Sequence, residues 1–158
     1  MNGFVEFGAK YLIFIIAVVA VAVTLVSDRT ARNRTIALAI VAFPVALLLT
    51  WVAGHLYYHT RPFVIEGVQP LIPHEPDNGF PSDHTVLAMT SSAIVFAYSR
   101  KVGLLLGVMA ILVGISRVIA KLHYPVDILG GAAIAMSSAG IAWMMLKRFA
   151  SLLSWDRP

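Results

Sequence analysis

Five apolar stretches of the chain lack acidic and basic residues other than histidine. They cover residues 11–27, 35–56, 84–99, 102–116 and 128–146. Because about 20 helical residues are needed to cross the hydrocarbon core of a bilayer, we predict an all-α bundle of about five transmembrane helices. The third and fourth stretches are short, and they reach a spanning length only when the polar ends Ser82–Asp83 and Arg117 belong to their helices.

The composition agrees with an integral membrane protein that forms one domain over residues 1–158. Of the 158 residues, 59% are hydrophobic and 13% are charged, whereas a soluble domain of this size needs more charges to cover its surface. The chain has no cysteine, which excludes disulfides and thiol chemistry. The first apolar stretch follows Lys10 without a small-residue cleavage site, so we interpret it as a retained span rather than a signal peptide.

The basic residues flank the apolar stretches and predict an orientation. The net charge is +4, but no long basic tract is present, and we expect no nucleic-acid partner. One side of a five-helix arrangement carries eight basic residues: Arg29, Arg32, Arg34, Arg100, Lys101, Lys147, Arg148 and Arg157. The other side carries four: Lys10, Arg61, Arg117 and Lys121. The positive-inside rule then places the C-terminus in the cytoplasm and the N-terminus outside.

Two polar connections, 57–83 and 117–127, face outward in this orientation. The longer one contains five prolines and the turn signal Asp77-Asn78-Gly79, so we expect irregular structure with a short interfacial helix. In the apolar stretch that follows, Gly103 and Gly107 have a small-xxx-small spacing, which allows close helix packing.

The segment PSDH, residues 81–84, opens the third apolar stretch. Ser82 or Asp83 can cap a helix there, and by itself the segment is more simply a helix start. A helix start also offers free backbone N–H groups and the positive end of the helix dipole, which together bind anions. An anion at this position would favour the protonated form of His84.

The segment HYPVD, residues 123–127, places His123 four residues before Asp127. If the turn is helical, the two side chains share one face. An aspartate that accepts a hydrogen bond from one ring nitrogen fixes the tautomer and leaves the other nitrogen as a nucleophile or base. The alternative is an interfacial histidine beside an aspartate that caps the helix. Pro125 suits the first turn of the last span.

Two arginines, Arg61 and Arg117, lie at the outward ends of spans, against the positive-inside bias. Guanidinium groups bind phosphate oxygens in pairs of hydrogen bonds, although each arginine alone is also compatible with lipid-headgroup contact. Two arginines combined with a helix start, a serine and two histidines indicate a phosphoryl-transfer site, where charge stabilisation, a nucleophile and an acid are all required.

These residues resemble the three-part signature of the type-2 phosphatidic acid phosphatase superfamily. The motifs are Arg61-Pro62, Pro81-Ser82-Asp83-His84, and Ser116-Arg117 followed by His123 and Asp127, and the resemblance covers about residues 54–131. The second motif is usually Pro-Ser-Gly-His. Its Asp83 form is similar to the bacitracin-resistance branch of undecaprenyl-diphosphate phosphatases, and so are RPF at 61–63 and the glycines after Asp127.

The resemblance implies a mechanism that uses no metal or other cofactor. His123 would attack phosphorus and form a phospho-histidine, and Asp127 would orient and support it. His84 would protonate the leaving oxygen and then activate water, so that His123 must be neutral while His84 is charged. A bell-shaped pH profile follows. The resemblance assigns phosphate binding to Arg61, Ser82, Asp83 and Arg117.

The chain departs from the family pattern at Gly54, where the family has a phosphate-binding lysine seven residues before the arginine. His55, His59 or Lys121 could compensate, and we favour Lys121 because it lies close to Arg117 and His123 in the sequence. The family core usually has six helices, and the sequence indicates five.

The favoured function is the hydrolysis of undecaprenyl diphosphate to undecaprenyl phosphate and phosphate at the outer face of a bacterial inner membrane. The expected partners are this lipid diphosphate and the membrane lipids. The nearest alternative is the same chemistry on phosphatidic acid or phosphatidylglycerophosphate. A metal-binding or transport protein that uses His55 and His59 would leave Arg61 and Arg117 unexplained. A purely structural membrane protein is the third alternative.

Overall fold

The structure is a computed structural model that describes residues 2–152; Arg157, used above to predict the orientation, lies outside this range. The described residues form helices and connecting loops, with one isolated bridge between Thr60 and Asn78. The helices are α1 (Asn2–Lys10), α2 (Leu12–Val26), α3 (Arg29–Leu56), α4 (Pro62–Glu66), α5 (Asp83–Phe96), α6 (Arg100–Ile119) and α7 (Pro125–Leu152).

Each predicted apolar stretch corresponds to a separate helix, although residues 97–99 lie beyond the end of α5, and this confirms the all-α membrane fold. The short helix expected in the outward loop is α4. Helix α1 was not predicted, because Glu6 and Lys10 interrupt its apolar pattern.

The number of spanning helices differs from the prediction of five. Among the described residues, α3, α6 and α7 are long and apolar enough to cross a membrane, and α1 with α2 forms a fourth candidate span bent by 47°. Helix α5 has 14 residues. At 1.5 Å per residue it is about 21 Å long, which is less than the ~30 Å of a bilayer core. Helix α5 ends at Phe96, before the turn at Ala97–Tyr98 and before it reaches a spanning length.

Local sequence signals set the boundaries of several helices. Asp28 caps α3, since its Oδ1 accepts hydrogen bonds from the backbone N–H groups of Thr30 and Ala31 at 2.9 Å each. Pro62 begins α4, which ends at Gly67 with a φ of 63°. Pro125 begins α7, as its position predicted.

Helix α5 lies inside the bundle, against α2, α3, α6 and α7. Its close approach to α6 depends on Gly103, where a Cβ atom would overlap the backbone of Phe96. Ser92 Oγ donates a hydrogen bond to the Gly103 carbonyl at 2.9 Å. The small-xxx-small spacing of Gly103 and Gly107 therefore serves packing within the chain.

The loops that carry the motif residues are joined to the bundle by a small apolar cluster. Ala9 of α1, Phe63 of α4, and Ala120 and Leu122 after α6 are buried together. The backbone N–H groups of Phe63 and Leu71 donate to the carbonyls of residues 121 and 120 at 3.3 Å each. This cluster holds α1, α4 and the link before α7 at one end of the bundle, where the predicted site residues lie.

Candidate active site

The three motifs meet at this end of the bundle. Arg61 lies immediately before α4, Ser82 immediately before α5, and Arg117 in the last turn of α6. His123 lies in the link between α6 and α7, and Asp127 in the first turn of α7. Helix ends thus supply most of the predicted site.

His123 is buried, with both ring nitrogens in contact with polar groups. Its Nδ1 donates to the Gly79 carbonyl at 2.8 Å. Its Nε2 lies 3.1 Å from Nη1 of Arg61 and 3.3 Å from Nη2 of Arg117. Because a guanidinium only donates, Nε2 is the acceptor and Nδ1 carries the proton. Burial, together with Arg117 and Arg61, lowers the pKa of His123 despite the nearby Asp127, so the ring is neutral and its lone pair faces the arginines.

Asp127 is fully buried, and its closest side-chain partner is His59. Its Oδ1 accepts from His59 Nδ1 at 2.7 Å, and its Oδ2 accepts from the backbone N–H of Tyr124 at 2.8 Å. The predicted contact with His123 is longer, since Oδ2 lies 3.5 Å from His123 Nδ1. The nearer acceptor for that proton is the Gly79 carbonyl.

Arg61 is 5% exposed, and polar partners surround its guanidinium. Its Nε donates to Asp77 at 2.6 Å. Its Nη1 donates to the Leu122 carbonyl at 2.9 Å, and its Nη2 to the Asn78 carbonyl at 3.2 Å. Of these partners Asp77 is the exposed one, at 60% of its side chain. A phosphate that binds Arg61 can therefore displace Asp77 more easily than the two carbonyls.

Arg117 is 4% exposed, and among the described residues no carboxylate forms an ion pair with it. Its Nη1 donates to the Ala9 carbonyl at 3.3 Å and lies 3.5 Å from His84 Nε2. Its Nη2 lies 3.4 Å from His74 Nε2, and its Nε has no hydrogen-bond partner within residues 2–152. A buried cation in this state is costly unless an anion compensates it. Arg117, which contacts three histidines and no carboxylate among the described residues, is therefore a candidate for binding an anion.

His84, in the first turn of α5, faces Arg117. Burial, with smaller contributions from Arg117 and the neighbouring histidines, lowers its pKa to about 4. With this pKa His84 is neutral near pH 7. The charged form predicted from the sequence is that of the ring beside a bound anion, and it stays a prediction. A bound phosphate would bring negative charge beside the ring and favour its protonation.

Ser82 and Asp83 have different surroundings. Ser82 is buried; its backbone N–H donates to the Asp127 carbonyl at 3.1 Å, and its Oγ accepts from Thr85 at 3.2 Å. Ser82 thus joins the start of α5 to the start of α7. The side chain of Asp83 is exposed, and the structure does not bring it into hydrogen-bond contact with the histidine and arginine cluster.

Lys121 lies outside this cluster, so its predicted position as the replacement for the family lysine is corrected. Its side chain is half exposed, and its Nζ pairs with Glu66 at 3.0 Å. Its φ of 63° belongs to the turn that follows α6. At Gly54 a Cβ would lie 3.4 Å from the Phe80 carbonyl, so this position adjoins the loop before α5.

The sequence analysis missed two residues of the loop, His74 and Asp77. His74 Nε2 contacts Arg117, and its Nδ1 lies 3.2 Å from the Glu75 carbonyl and 3.9 Å from Asp77. Burial lowers the pKa of His74. Asp77 had been interpreted only as part of a turn signal. The one sequence signal for these two residues was the cluster of charged residues in loop 57–83, which also carries motif residues.

Asn78 joins this loop to the end of α3. Its Oδ1 accepts from the backbone N–H groups of His59 and Phe80 at 2.9 Å each. Its Nδ2 donates to the carbonyls of Gly54 at 2.9 Å and Tyr57 at 3.1 Å. One amide side chain therefore makes four hydrogen bonds and fixes the position of Gly79 beside His123.

The structure separates the two histidines of the metal-binding alternative. His55 is exposed, and its Nδ1 lies 2.8 Å from the Trp51 carbonyl, whereas His59 binds Asp127. Helix α3 ends at Leu56, so the two rings do not share a helix face. Within residues 2–152, no three side chains of histidine, aspartate or glutamate come together in a metal-binding arrangement.

Comparison with known proteins gives matches along most of the chain. A model of the PAP2 superfamily matches residues 33–150, which include every motif residue of the site. The bacitracin transport permease protein BcrC of Bacillus licheniformis is 39% identical over 141 residues, which are 88% of this chain and 68% of that protein. The undecaprenyl-diphosphatase BcrC of Bacillus subtilis (strain 168) is 32% identical over 153 residues, 97% of this chain and 77% of that protein.

Solved structures share the fold. LpxE of Aquifex aeolicus superposes with a TM-score of 0.67 at 22% identity, and the match covers 90% of this chain and 82% of that one. The helical arrangement around the site is therefore not peculiar to this chain.

Proposed function

The chain belongs to the PAP2 superfamily, and from this membership and the site geometry we propose that it hydrolyses undecaprenyl diphosphate to undecaprenyl phosphate and phosphate. The relative in Bacillus subtilis carries the name undecaprenyl-diphosphatase, and it aligns with 97% of this chain. The reaction is that of a membrane lipid phosphatase with a phospho-histidine intermediate.

The observation that carries this proposal is the approach of Arg117 and Arg61 to one nitrogen of His123. Two guanidiniums lie within 3.3 Å of Nε2, while Nδ1 is fixed by the Gly79 carbonyl. A neutral imidazole nitrogen beside two cations is suited to attack a phosphorus atom whose oxygens those cations bind.

In the first step, Nε2 of His123 forms a bond to the terminal phosphorus of the diphosphate. The bond from that phosphorus to the bridging oxygen breaks, and the leaving group is the lipid monophosphate. His84, once protonated beside the bound phosphate, gives its proton to the leaving oxygen. Arg61 and Arg117 stabilise the charge on the oxygens of the transferring phosphoryl group.

In the second step, the phospho-histidine is hydrolysed. Neutral His84 takes a proton from a water molecule, and the water oxygen attacks phosphorus. The bond from phosphorus to Nε2 breaks, so His123 returns to its neutral form and inorganic phosphate leaves. His84 takes up its first proton from solvent when the phosphate binds and regains it from the attacking water in the second step, and the proposed reaction proceeds without a metal ion.

The proposed location of the site is the outer face of the bacterial membrane, with the C-terminus in the cytoplasm. The bundle places loop 57–83 and link 117–127 at one end, where four basic residues lie. The other end carries Arg29, Arg32 and Arg34 in the first two turns of α3 and the Arg100–Lys101 pair at the start of α6. This charge asymmetry supports the orientation.

The test is inorganic phosphate release by detergent-purified protein. Undecaprenyl diphosphate and phosphatidic acid are supplied side by side with EDTA present, to wild type, to His123→Ala and to His55→Ala as an exposed control. We expect release from undecaprenyl diphosphate by wild type and the control, and a loss of about 10³-fold or more in His123→Ala. Preferential release from phosphatidic acid would establish the alternative substrate, and equal release by His123→Ala would overturn the mechanism.

A further inference from the structure

His59 binds the buried carboxylate of Asp127 and belongs to none of the three motifs. We propose that His59 is a positioning residue, which acts through Asp127 to keep Nε2 of His123 directed at the phosphate. This inference rests on the proposed phosphatase function and adds a residue to its machinery.

The contact between His59 and Asp127 is the shortest side-chain contact of the aspartate. It joins His59 Nδ1 to Oδ1 at 2.7 Å, whereas His123 Nδ1 lies 3.5 Å from Oδ2. Asp127 is 0% exposed, and within residues 2–152 the Oδ1 atom forms its one hydrogen bond with His59. The donor from His59 therefore fixes which oxygen faces His123.

The backbone around His59 places its ring independently of that contact. Its N–H donates to Asn78 Oδ1 at 2.9 Å, and its carbonyl accepts from the N–H of Gly79 at 2.8 Å. The ring lies between Tyr57 and Tyr124, with centroid separations of 5.6 and 4.9 Å. Substitution of the side chain leaves the backbone bonds in place, so a variant tests the ring alone.

Loss of the His59 donor would leave a buried carboxylate oxygen without a partner. Such an oxygen is costly, and the carboxylate would turn toward another donor or take up a proton. Either change alters the group that faces Nδ1 of His123. Nε2 attacks phosphorus with Nδ1 still protonated, so the ring becomes positively charged and depends on the Asp127 carboxylate for stabilisation.

The first experiment compares His59→Ala with His59→Asn in the phosphate-release assay. The amide nitrogen of asparagine can stand where Nδ1 of the histidine stands and can donate to the same oxygen. We expect kcat to fall about 10- to 100-fold in His59→Ala with KM changed less than about 3-fold, and His59→Asn to recover kcat to within about 5-fold of wild type. His55→Ala, which alters an exposed histidine of the same segment, should match wild type.

A loss that is equal in the alanine and asparagine variants would overturn the inference, because it would make the imidazole itself, and not the donor, the requirement. An unchanged kcat in His59→Ala would overturn it as well. Thermal melting of each variant shows whether it is folded. If the alanine form does not fold, His59→Leu supplies a side chain of similar bulk without a donor for the same comparison.

A second measurement does not depend on turnover. In detergent-solubilised protein with ¹⁵N-labelled histidine, His123 is assigned by the signal that disappears in His123→Ala. We expect wild type to show one His123 tautomer, protonated at Nδ1, and His59→Ala to show shifted or averaged nitrogen signals. Unchanged His123 signals in His59→Ala would overturn the positioning role. Absence of phosphate release by wild type would instead overturn the proposed function, while the nitrogen signals still decide the inference.

Discussion

Nε2 of His123 lies 3.1 Å from Nη1 of Arg61. A phosphorus atom about to be attacked lies at a similar distance from its nucleophile, about 3–3.5 Å. The phosphate must therefore enter the place that the guanidinium now occupies, and Arg61 must shift onto the phosphate oxygens. We therefore expect phosphate binding and the movement of Arg61 to be the same event.

Asp77 holds the other side of Arg61 and should compete with phosphate. The Asp77 carboxylate is exposed and has no role in the proposed steps. It forms an ion pair with Arg61 at 2.6 Å. We expect Asp77→Asn to lower KM, and the inhibition constant of orthovanadate, about 3- to 10-fold, because an amide holds a guanidinium less strongly than a carboxylate does. Titration of both ligands checks this. Glu75→Gln, an exposed neighbour, is the control; a raised KM in Asp77→Asn would mean that Asp77 instead prepares Arg61 for phosphate.

The pH dependence should differ between kcat/KM and kcat. The acid limb reflects His123, which must be neutral; because its pKa is lowered, activity should persist as the pH falls below the usual histidine value of about 6.5. The basic limb reflects His84, which must be protonated. Its pKa is about 4 before phosphate binds, and a bound phosphate raises this pKa. We therefore expect the basic limb of kcat to lie at higher pH than that of kcat/KM.

Profiles of kcat and kcat/KM between pH 4 and 9 test this expectation. The same profiles with His84→Gln are the control, because any limb that remains in this variant comes from the ionisation of the substrate or of another group. Coincident basic limbs, or a flat profile between pH 5 and 9, would contradict the assignment of His84 as the acid.

Gly79 should tolerate no side chain. A Cβ there would lie 3.0 Å from the His59 carbonyl, 3.3 Å from Arg61 Cγ and 3.4 Å from Asp127 Oδ2, so Gly79→Ala pushes apart three residues of the site. We expect kcat to fall about 10-fold or more, since small displacements of reacting groups are costly. Gly140→Ala is the matched control, because its Cβ meets nothing within 4 Å, and it should keep full activity. Equal activities in the two variants would count against the arrangement around Gly79.

Lys121 and Arg117 should differ sharply in their effect on turnover. Lys121→Gln breaks an exposed pair with Glu66, and we expect kcat/KM to change less than about 2-fold. Arg117→Lys removes the planar fork that reaches His74, His84 and His123, and we expect a loss of about 10²- to 10³-fold. Steady-state kinetics of both variants check this. A large loss of kcat/KM in Lys121→Gln would support the sequence-based prediction that Lys121 replaces the family lysine.

The absence of cysteine makes the orientation directly testable. Single-cysteine variants Glu75→Cys in the site loop and Lys101→Cys at the opposite end can be labelled in intact cells with a membrane-impermeant maleimide. We expect labelling of the first alone, and labelling of both after the cells are broken. Labelling of Lys101→Cys alone in intact cells would invert the proposed orientation.

The sequence predicted the parts of the site that belong to continuous motifs and missed those fixed by long-range contacts. Arg61, His84, Arg117 and His123 meet as expected, because helix ends and adjacent residues place them. The bond between His59 and Asp127 joins residues 68 positions apart, and no local pattern encodes it. The prediction for Lys121 failed for the same reason. Its nearness in sequence to His123 does not determine the direction of its side chain, which pairs with Glu66 from the turn after α6, where the φ of Lys121 is 63°. The length of α5 was overestimated because residues 97–99 carry no charge and continue the apolar stretch after the helix has ended at Phe96.

The four hydrogen bonds of Asn78 form one of two anchors of the loop that contacts both site arginines. They fasten the loop to the end of α3 at residues 78–80, and the bond from Leu71 to the Ala120 carbonyl fastens it again at the end of α6. Between these two anchors lies the stretch 72–77, which carries His74 and Asp77 over the two arginines. A phosphate that binds the arginines would compete with these two side chains, so we expect the rearrangement on binding to be confined to this short tethered segment, while the helix ends on either side stay in place.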